Sequence, residues 1–324
     1  MSINLILLLL CITFHLFVYR FKTHLFGKFF LDTPNSERKI HKFPTYLIGG
    51  HFVFFSYVVY SLLSFDYNLN EKIIYLFILL IIFFIGILDD LKNLKPFNKL
   101  FMILLLYLTL CLFDKNYLLT EIYFETFETT LNFGIYSYLV SSLCILLLIN
   151  SINLIDGING LAMMIFIIIN VYLNYFLNLD FNIFILIFFL FIFFNIYKGN
   201  YFLGNSGSLL IGTIVALSTI KEYNLRIIDK FSAEDIFILF LFPGLDMFRL
   251  FVERVLKKKN PFKADNLHLH HLLIKKFVLE KVLFFYFAII VISSLLAFND
   301  YVPELIIIIL NLSIYLSALL ILKK

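Results

Sequence analysis

The sequence contains few cysteines, and their positions exclude two kinds of site. Its 3 cysteines, Cys11, Cys111 and Cys144, each lie inside an apolar run. A disulfide framework or a cysteine-based metal site would need clustered cysteines at suitable spacing, so both are excluded. The chain also lacks an internal repeat, a low-complexity linker and any stretch with the composition of a soluble domain. We therefore expect a single membrane-embedded domain, residues 1–324.

Charged residues are also scarce, which excludes an ordinary soluble protein. They make up 15% of the chain, whereas 62% of its residues are hydrophobic and its mean hydropathy is +0.96. An average soluble domain is about 45–50% apolar, and a membrane-spanning helix needs about 20 apolar residues. The sequence predicts an all-α, polytopic membrane protein with about eleven spans, near residues 3–19, 46–64, 73–88, 98–113, 135–150, 160–177, 182–197, 208–219, 236–249, 282–298 and 303–322.

The basic residues predict how these spans are oriented. No basic residue precedes the first apolar run, whereas Arg20, Lys22 and Lys28 follow it. This order is the reverse of a cleavable signal peptide, so we expect a permanent first span. With the N-terminus outside, the inner segments collect 21 of the 26 lysines and arginines. Because basic residues favour the cytoplasmic side, we expect an N-out, C-in protein of the inner (plasma) membrane.

An adjacent pair of carboxylates lies in one of the predicted inner loops. In the sequence FFIGILDDLKN, Asp89 and Asp90 lie where an apolar helix reaches the inner face, and Asn93 follows one turn later. Two adjacent carboxylates repel each other unless a cation offsets their charge, and such oxygen ligands suit Mg²⁺. The alternative interpretation is a solvated helix end with a polar cap.

The next inner loop, NSINLIDGINGLA, carries a polar residue at every third position. These residues are Asn150, Asn153, Asp156 and Asn159, with Gly157 and Gly160 between and after them. Amides and a carboxylate can hydrogen-bond a base edge or a ribose hydroxyl, and glycine lets the backbone come close to a ligand. A plain turn between helices would explain the glycines but not the regular polar spacing.

The sequence YFLGNSGSLLIG places a small polar segment directly before an apolar helix. The segment consists of Gly204, Asn205, Ser206, Gly207 and Ser208. Backbone N–H groups at a helix start bind anions, and glycine permits the close approach of a phosphate. Because Ser206 or Ser208 could equally be an ordinary helix N-cap, both interpretations stay open.

The last inner loop combines a basic run with a group of histidines. Its members are Arg249, Arg254, Lys257, Lys258, Lys259, Lys263, His268, His270 and His271. Three of the 7 histidines fall within four positions, which is not a pattern of core packing. The other inner loops offer only His24 and His41 as further ligands, so we favour phosphate contacts over a zinc site. The basic run could also be a simple membrane anchor.

Taken together, these motifs resemble those of the polyprenyl-phosphate N-acetylhexosamine-1-phosphate transferases, the WecA-type enzymes related to the MraY translocases. The resemblance covers nearly the whole chain: these four inner motifs and a fifth, DTPNSERKIHKFP in the first inner loop, follow one another in family order. The sequence PFKADNLHLHHLL is closer to the WecA-type pattern than to the HHHFE form of MraY. The resemblance implies transfer of a HexNAc-1-phosphate from a UDP-HexNAc to a polyprenyl phosphate, with release of UMP, at the start of cell-envelope glycan synthesis. It also implies a Mg²⁺ cofactor, with Mn²⁺ as an alternative.

The resemblance further implies roles for individual residues. Asp89 and Asp90 match the paired aspartates that are associated with Mg²⁺ and the lipid phosphate. The nucleotide motif matches at Asn150, Asn153, Asp156 and Gly157, and the catalytic histidine motif matches at His268, His270 and His271. The remaining implied contacts are a base-stacking aromatic residue at Phe202, the glycine motif at Gly204 and a pyrophosphate-binding arginine at Arg254.

Two positions depart from the family pattern. Asn159 stands where many relatives have aspartate, and Asn205 stands where the family usually has a metal-binding aspartate. Two alternatives therefore stay open: a catalytically retired protein that binds nucleotide, and a transporter for a phosphorylated lipid or nucleotide. A transporter would place charges near the bilayer midplane, whereas here they lie at helix ends on one face. We expect no nucleic-acid partner, and a homodimer is compatible with the sequence.

Overall fold

The computed structural model describes residues 3–34, 43–63, 69–176, 201–226, 232–262, 265–299 and 301–323. Most of these residues are helical. The helices are α1 (Ile3–Phe26), α2 (Gly49–Leu63), α3 (Leu69–Lys92), α4 (Pro96–Phe113), α5 (Ser137–Ile155), α6 (Leu161–Phe176), α7 (Gly204–Arg226), α8 (Ala233–Leu256), α9 (Leu269–Lys276), α10 (Leu279–Phe298) and α11 (Glu304–Lys323).

The predicted all-α, polytopic membrane architecture is confirmed. Among the described residues, six helices are long and apolar enough to cross a membrane, namely α1, α3, α4, α5, α10 and α11. Large side chains such as Phe84, Leu316 and Phe284 are exposed on these helices. Exposed apolar surface of this extent suits contact with lipid. Every predicted span within the described residues overlaps a helix, and the predicted span near 182–197 lies outside them. The total number of spans and the N-out orientation stay predictions.

Local sequence explains where several helices begin. Pro96 begins α4, because its fixed φ suits the first helical turn and its missing N–H costs nothing there. Ser232 caps α8 through a reciprocal pair of bonds with Asp235, which satisfies N–H groups that the helix leaves unpaired.

Helix α7 lies at the centre of the bundle, packed against α2, α3, α5 and α6. It is built for close packing, because a Cβ added at Gly212 would lie 3.1 Å from the backbone oxygen of Ile149. Small residues let membrane helices approach one another closely. The same small residues lower the hydropathy of α7, which explains why the sequence predicts only the short span 208–219 within this helix.

Two small sheets complete the described fold. At one end of the bundle, β1 (Leu31–Asp32) pairs antiparallel with β2 (Thr45–Leu47). A further strand, Tyr201–Phe202, pairs parallel with β2 and leads directly into α7. At the other end, β3 (Glu121–Phe124) and β4 (Thr129–Asn132) form a hairpin. We number the Tyr201–Phe202 strand β5.

Candidate functional site

A cavity of about 700 Å³ opens at the end of the bundle that holds β1, β2 and β5. This volume lies within the range of small-molecule sites. The cavity brings together nine of the residues predicted from the sequence: Asp90, Asn153, Asp156, Gly157, Asn159, Phe202, Gly204, Asn205 and His271. Asp89, Asn150, His268, His270 and Arg254 do not line it.

Asp90 caps the N-terminus of α7. One oxygen of its carboxylate accepts the backbone N–H of Asn205 at 2.8 Å, and the other accepts the N–H of Ser206 at 3.0 Å. A carboxylate at this position satisfies unpaired donors and complements the helix dipole. Neither serine of the glycine motif is therefore the cap, and these two N–H groups are already bonded to a carboxylate.

Two glycines allow this close approach of α3 to α7. A Cβ at Gly86, one turn before Asp90, would lie 2.3 Å from the Cα of Ser206. Gly204 has a φ of +75°, and a Cβ there would lie 3.0 Å from the Asp90 carboxylate. A positive φ is a conformation that glycine adopts without strain.

Asp89 points away from the cavity. Its carboxylate accepts Lys99 Nζ at 2.9 Å and the backbone N–H of Leu94 at 2.9 Å. Successive helical residues project about 100° apart, which is why adjacent aspartates have different surroundings. Asp89 thus fixes the turn between α3 and α4, and its metal and catalytic roles stay predictions.

Asp156 follows the last residue of α5 and brings a second carboxylate to the cavity. Burial raises the pKa of Asp156 well above its usual range, and the neighbouring Asp90 carboxylate adds to this shift. Asn153, one turn earlier, accepts the Ser208 hydroxyl at 2.8 Å on its side-chain oxygen. Asn150 lies outside the cavity, with Nδ2 at 3.2 Å from the sulfur of Met247.

Two of the three histidines, His270 and His271, pack directly against Gly157. His270 is fully buried, and a Cβ at Gly157 would lie 2.2 Å from its Nε2. Burial lowers the pKa of His271 to about 4 and that of His270 well below its usual range, with neighbouring histidines contributing. Both rings are therefore neutral near pH 7. His271, which lines the cavity, can exchange hydrogen bonds with a phosphate but does not offer it a positive charge.

Comparison with known proteins shows which family the chain resembles. Residues 72–222 match the family model described as glycosyl transferase family 4. The undecaprenyl-phosphate alpha-N-acetylglucosaminyl 1-phosphate transferase of Thermotoga maritima is 25% identical over 277 residues, covering 83% of this chain and 80% of that protein. The chain is similar to these transferases over most of its length. The predicted resemblance is thereby confirmed.

Two further similar proteins represent the two groups of enzymes that the sequence resembles, the WecA-type enzymes and the MraY translocases. The Escherichia coli protein with the same name as the Thermotoga one is 25% identical over 258 residues, covering 76% of this chain and 69% of that protein. A phospho-N-acetylmuramoyl-pentapeptide-transferase of Clostridium botulinum is 27% identical over 202 residues, covering 57% of this chain and 61% of that protein. The region matched by the transferase family model contains Asp90, Asp156 and Asn205, and the histidines lie beyond it.

Arg254 bonds to two residues that precede the histidines. Its guanidinium donates to the Asp265 carboxylate at 2.8 and 3.1 Å and to the backbone oxygen of Pro261 at 2.7 Å. These bonds connect the end of α8 to Pro261 and Asp265. A pyrophosphate contact by Arg254 stays a prediction.

Sequence reasoning missed two residues near the histidines. Asp246 in α8 bonds Nδ1 of His268 at 2.8 Å, and Tyr315 of α11 donates to Asp246 at 2.7 Å. A signal for Asp246 was present, because an ionisable residue inside a predicted span usually has a specific partner. Nothing in the sequence indicates Tyr315, since its contact depends on how α8 and α11 pack.

Proposed function

We propose that this chain transfers a HexNAc-1-phosphate, with GlcNAc-1-phosphate as the first candidate, from a UDP-sugar to a polyprenyl phosphate, releasing UMP. The cavity carries this proposal, because it joins three carboxylates, a series of amides and an aromatic residue at one end of a membrane helix bundle. The names of the Thermotoga and Escherichia relatives support both the lipid and the sugar.

The proposal includes a divalent cation, Mg²⁺ or Mn²⁺. Asp32, Asp90 and Asp156 line the cavity, and no lysine or arginine is among its described lining residues. These carboxylates alone would repel the pyrophosphate of a UDP-sugar. Carboxylate and amide oxygens are suitable ligands for a hard cation, which Asp90, Asp156 and Asn205 would hold. When bound, the cation would neutralise charge on the pyrophosphate.

The residues of the chain supply binding and orientation for this reaction. The Ser208 hydroxyl donates to the side-chain oxygen of Asn153. This bond orients the amide so that its N–H groups can donate to a ligand. Phe202 lines the cavity, where its ring can stack on a base. Neutral His271 can hydrogen-bond a phosphate oxygen. The lipid phosphate is already ionised near neutral pH, so its attack on the sugar-bearing phosphorus requires little general-base catalysis.

The proposed active site faces the cytoplasm of a multi-pass protein in the inner membrane. The excess of basic residues in the segments around the cavity supports this orientation. A single cysteine at Asn260, which is exposed near the cavity end, should be shielded from a membrane-impermeant thiol reagent in intact cells. One at exposed Thr126, in the β3–β4 hairpin, should react. The reverse labelling pattern would contradict the orientation.

Release of UMP tests the proposed activity against its alternatives. The purified full-length chain in nanodiscs should release UMP when UDP-GlcNAc, undecaprenyl phosphate and Mg²⁺ are present together, and chelation should stop it. Replacing Asp156 with asparagine should lower the rate by at least about 10²-fold, the scale of losing one preorganised electrostatic group. A chain that binds UDP-GlcNAc without UMP release would support the retired alternative. Flux of intact substrate across vesicles without UMP release would support the transporter.

A further inference from the structure

A buried network centred on Asp246 lies behind the histidines. One carboxylate oxygen accepts Arg249 Nη2 at 2.8 Å and the Tyr315 hydroxyl at 2.7 Å. The other is bonded to His268 Nδ1 at 2.8 Å and accepts the backbone N–H of Leu269 at 3.0 Å. Asp246 is 4% exposed and sits within α8, so its charge is balanced by these four donors rather than by water.

The contact between Asp246 and His268 determines which ring nitrogen carries the proton. An ionised carboxylate accepts hydrogen bonds and cannot donate them, so Nδ1 of His268 must be the donor. In the neutral ring, Nε2 is then an acceptor. The carboxylate thus selects one tautomer and fixes the plane of the ring.

The same carboxylate also positions α9. Its bond to Leu269 N–H satisfies a donor in the first turn of that helix, where the preceding residue, His268, makes no side-chain cap. The rings of His268 and His270 are stacked, with centroids 5.5 Å apart and planes 20° apart. His270 in turn packs on Gly157, and His271 reaches the cavity. Asp246 is therefore connected to the cavity through three consecutive contacts: Asp246 with His268, His268 with His270, and His270 with Gly157.

A metal site at the same residues does not fit this geometry. Ligand atoms of Asp246, His268 and His270 lie within 4.8 Å of one another. Both oxygens of Asp246, however, already accept two hydrogen bonds each, and one of the donors is the guanidinium of Arg249. A cation placed there would meet a positively charged group at its only carboxylate ligand.

We propose that Asp246, held by Arg249 and Tyr315, is a positioning residue for the proposed transfer reaction. It fixes the tautomer of His268 and the start of α9, and so holds His271, which lines the cavity, in place. Tyr315 makes the last helix, α11, part of this arrangement. This inference rests on the proposed function for its kinetic consequences, but its structural content can be measured without catalysis.

A double-mutant cycle on the full-length chain in nanodiscs tests the kinetic part. We expect Asp246→Asn to lower kcat for UMP release by about 10- to 100-fold. In a His268→Gln background, adding Asp246→Asn should lower kcat by a further factor of less than about three. The reason is that the effects of residues that act through one another are not additive. Fully additive losses would overturn the proposal. Asp235→Asn is the matched control, since Asp235 is also buried in α8 but caps its opposite end. It should leave kcat within about twofold of wild type.

Nitrogen NMR of histidine-labelled chain tests the structural part. Among the 7 histidines, the signals of His268 are those that His268→Gln removes. They should show a protonated Nδ1 and an unprotonated Nε2, and Asp246→Asn should disturb this pattern while Asp235→Asn should not. A protonated Nε2 with an unprotonated Nδ1 in the wild type would overturn the proposal. If the wild type released no UMP from any UDP-sugar, the proposed function would fail, and the NMR result alone would decide the positioning role.

Discussion

Asn205 donates both its backbone N–H and its side-chain amide to the same oxygen of Asp90, at 2.8 and 3.1 Å. The family resemblance places a metal-binding aspartate at this position. A carboxylate there would face Asp90 at hydrogen-bond distance and would need a cation between the two. The amide instead makes a stable contact without one, so the pair carries one negative charge rather than two.

The first prediction follows from this contact. Asn205→Asp should lower the Mg²⁺ concentration that gives half-maximal UMP release, because a second carboxylate strengthens cation binding. It should also tighten Mn²⁺ binding measured by electron paramagnetic resonance, which does not depend on turnover. Asn116→Asp, in the turn at the opposite end of the bundle, is the control and should change neither quantity. An unchanged Mg²⁺ requirement and unchanged Mn²⁺ binding in Asn205→Asp would mean that residue 205 does not contact the cation.

The second prediction concerns the packing that brings Asp90 to α7. Gly86→Ala should lower both thermal stability and UMP release, the latter by at least about tenfold. The new Cβ would lie 2.3 Å from the Cα of Ser206, so the two helices must separate. Overpacking of this kind costs about 1–3 kcal/mol.

Gly244 provides the matched control for this substitution. It also lies inside a helix, but a Cβ there would meet nothing within 4 Å. Because alanine favours a helix more than glycine does, Gly244→Ala should keep or raise the unfolding temperature. Equal effects of the two substitutions would contradict the close approach of α3 and α7.

The contrast between Asp89 and Asp90 illustrates how far the sequence could be interpreted. Their shared position at the end of a predicted span was correct, as was the all-α membrane architecture, because both follow from local composition. Their separate partners were not predictable, since Lys99 and Ser206 reach them through the turn into α4 and through long-range packing. The central position of α7 was not predictable either. Its small residues lower hydropathy while allowing the closest contacts.

The third prediction concerns pH. The folded-state pKa of His271 is about 4, below the usual value of 6.5, so the unfolded chain binds more protons between these two values. Stability therefore increases with pH in this window, and it is lost as pH falls from about 6.5 towards 4. The unfolding temperature of the wild type should decrease across this range, and the decrease should be smaller in His271→Gln. His24→Gln, at an exposed histidine of α1, should follow the wild type. Identical pH profiles for all three proteins would contradict the burial of neutral His271.

In the proposed reaction, the acidic cavity joins a sugar phosphate to a polyprenyl phosphate. The most direct measurement is mass spectrometry of the lipid product, together with quantification of UMP, after the purified chain has been incubated with UDP-GlcNAc, undecaprenyl phosphate and Mg²⁺. Parallel reactions should contain UDP-GalNAc and a UDP-6-deoxy-HexNAc. We predict an undecaprenyl-pyrophosphoryl-HexNAc with at least one of these donors, formed in equal amount to UMP and abolished by Asp156→Asn. Folded, nucleotide-binding protein that forms no such lipid with any of the three donors would contradict the proposed transfer reaction.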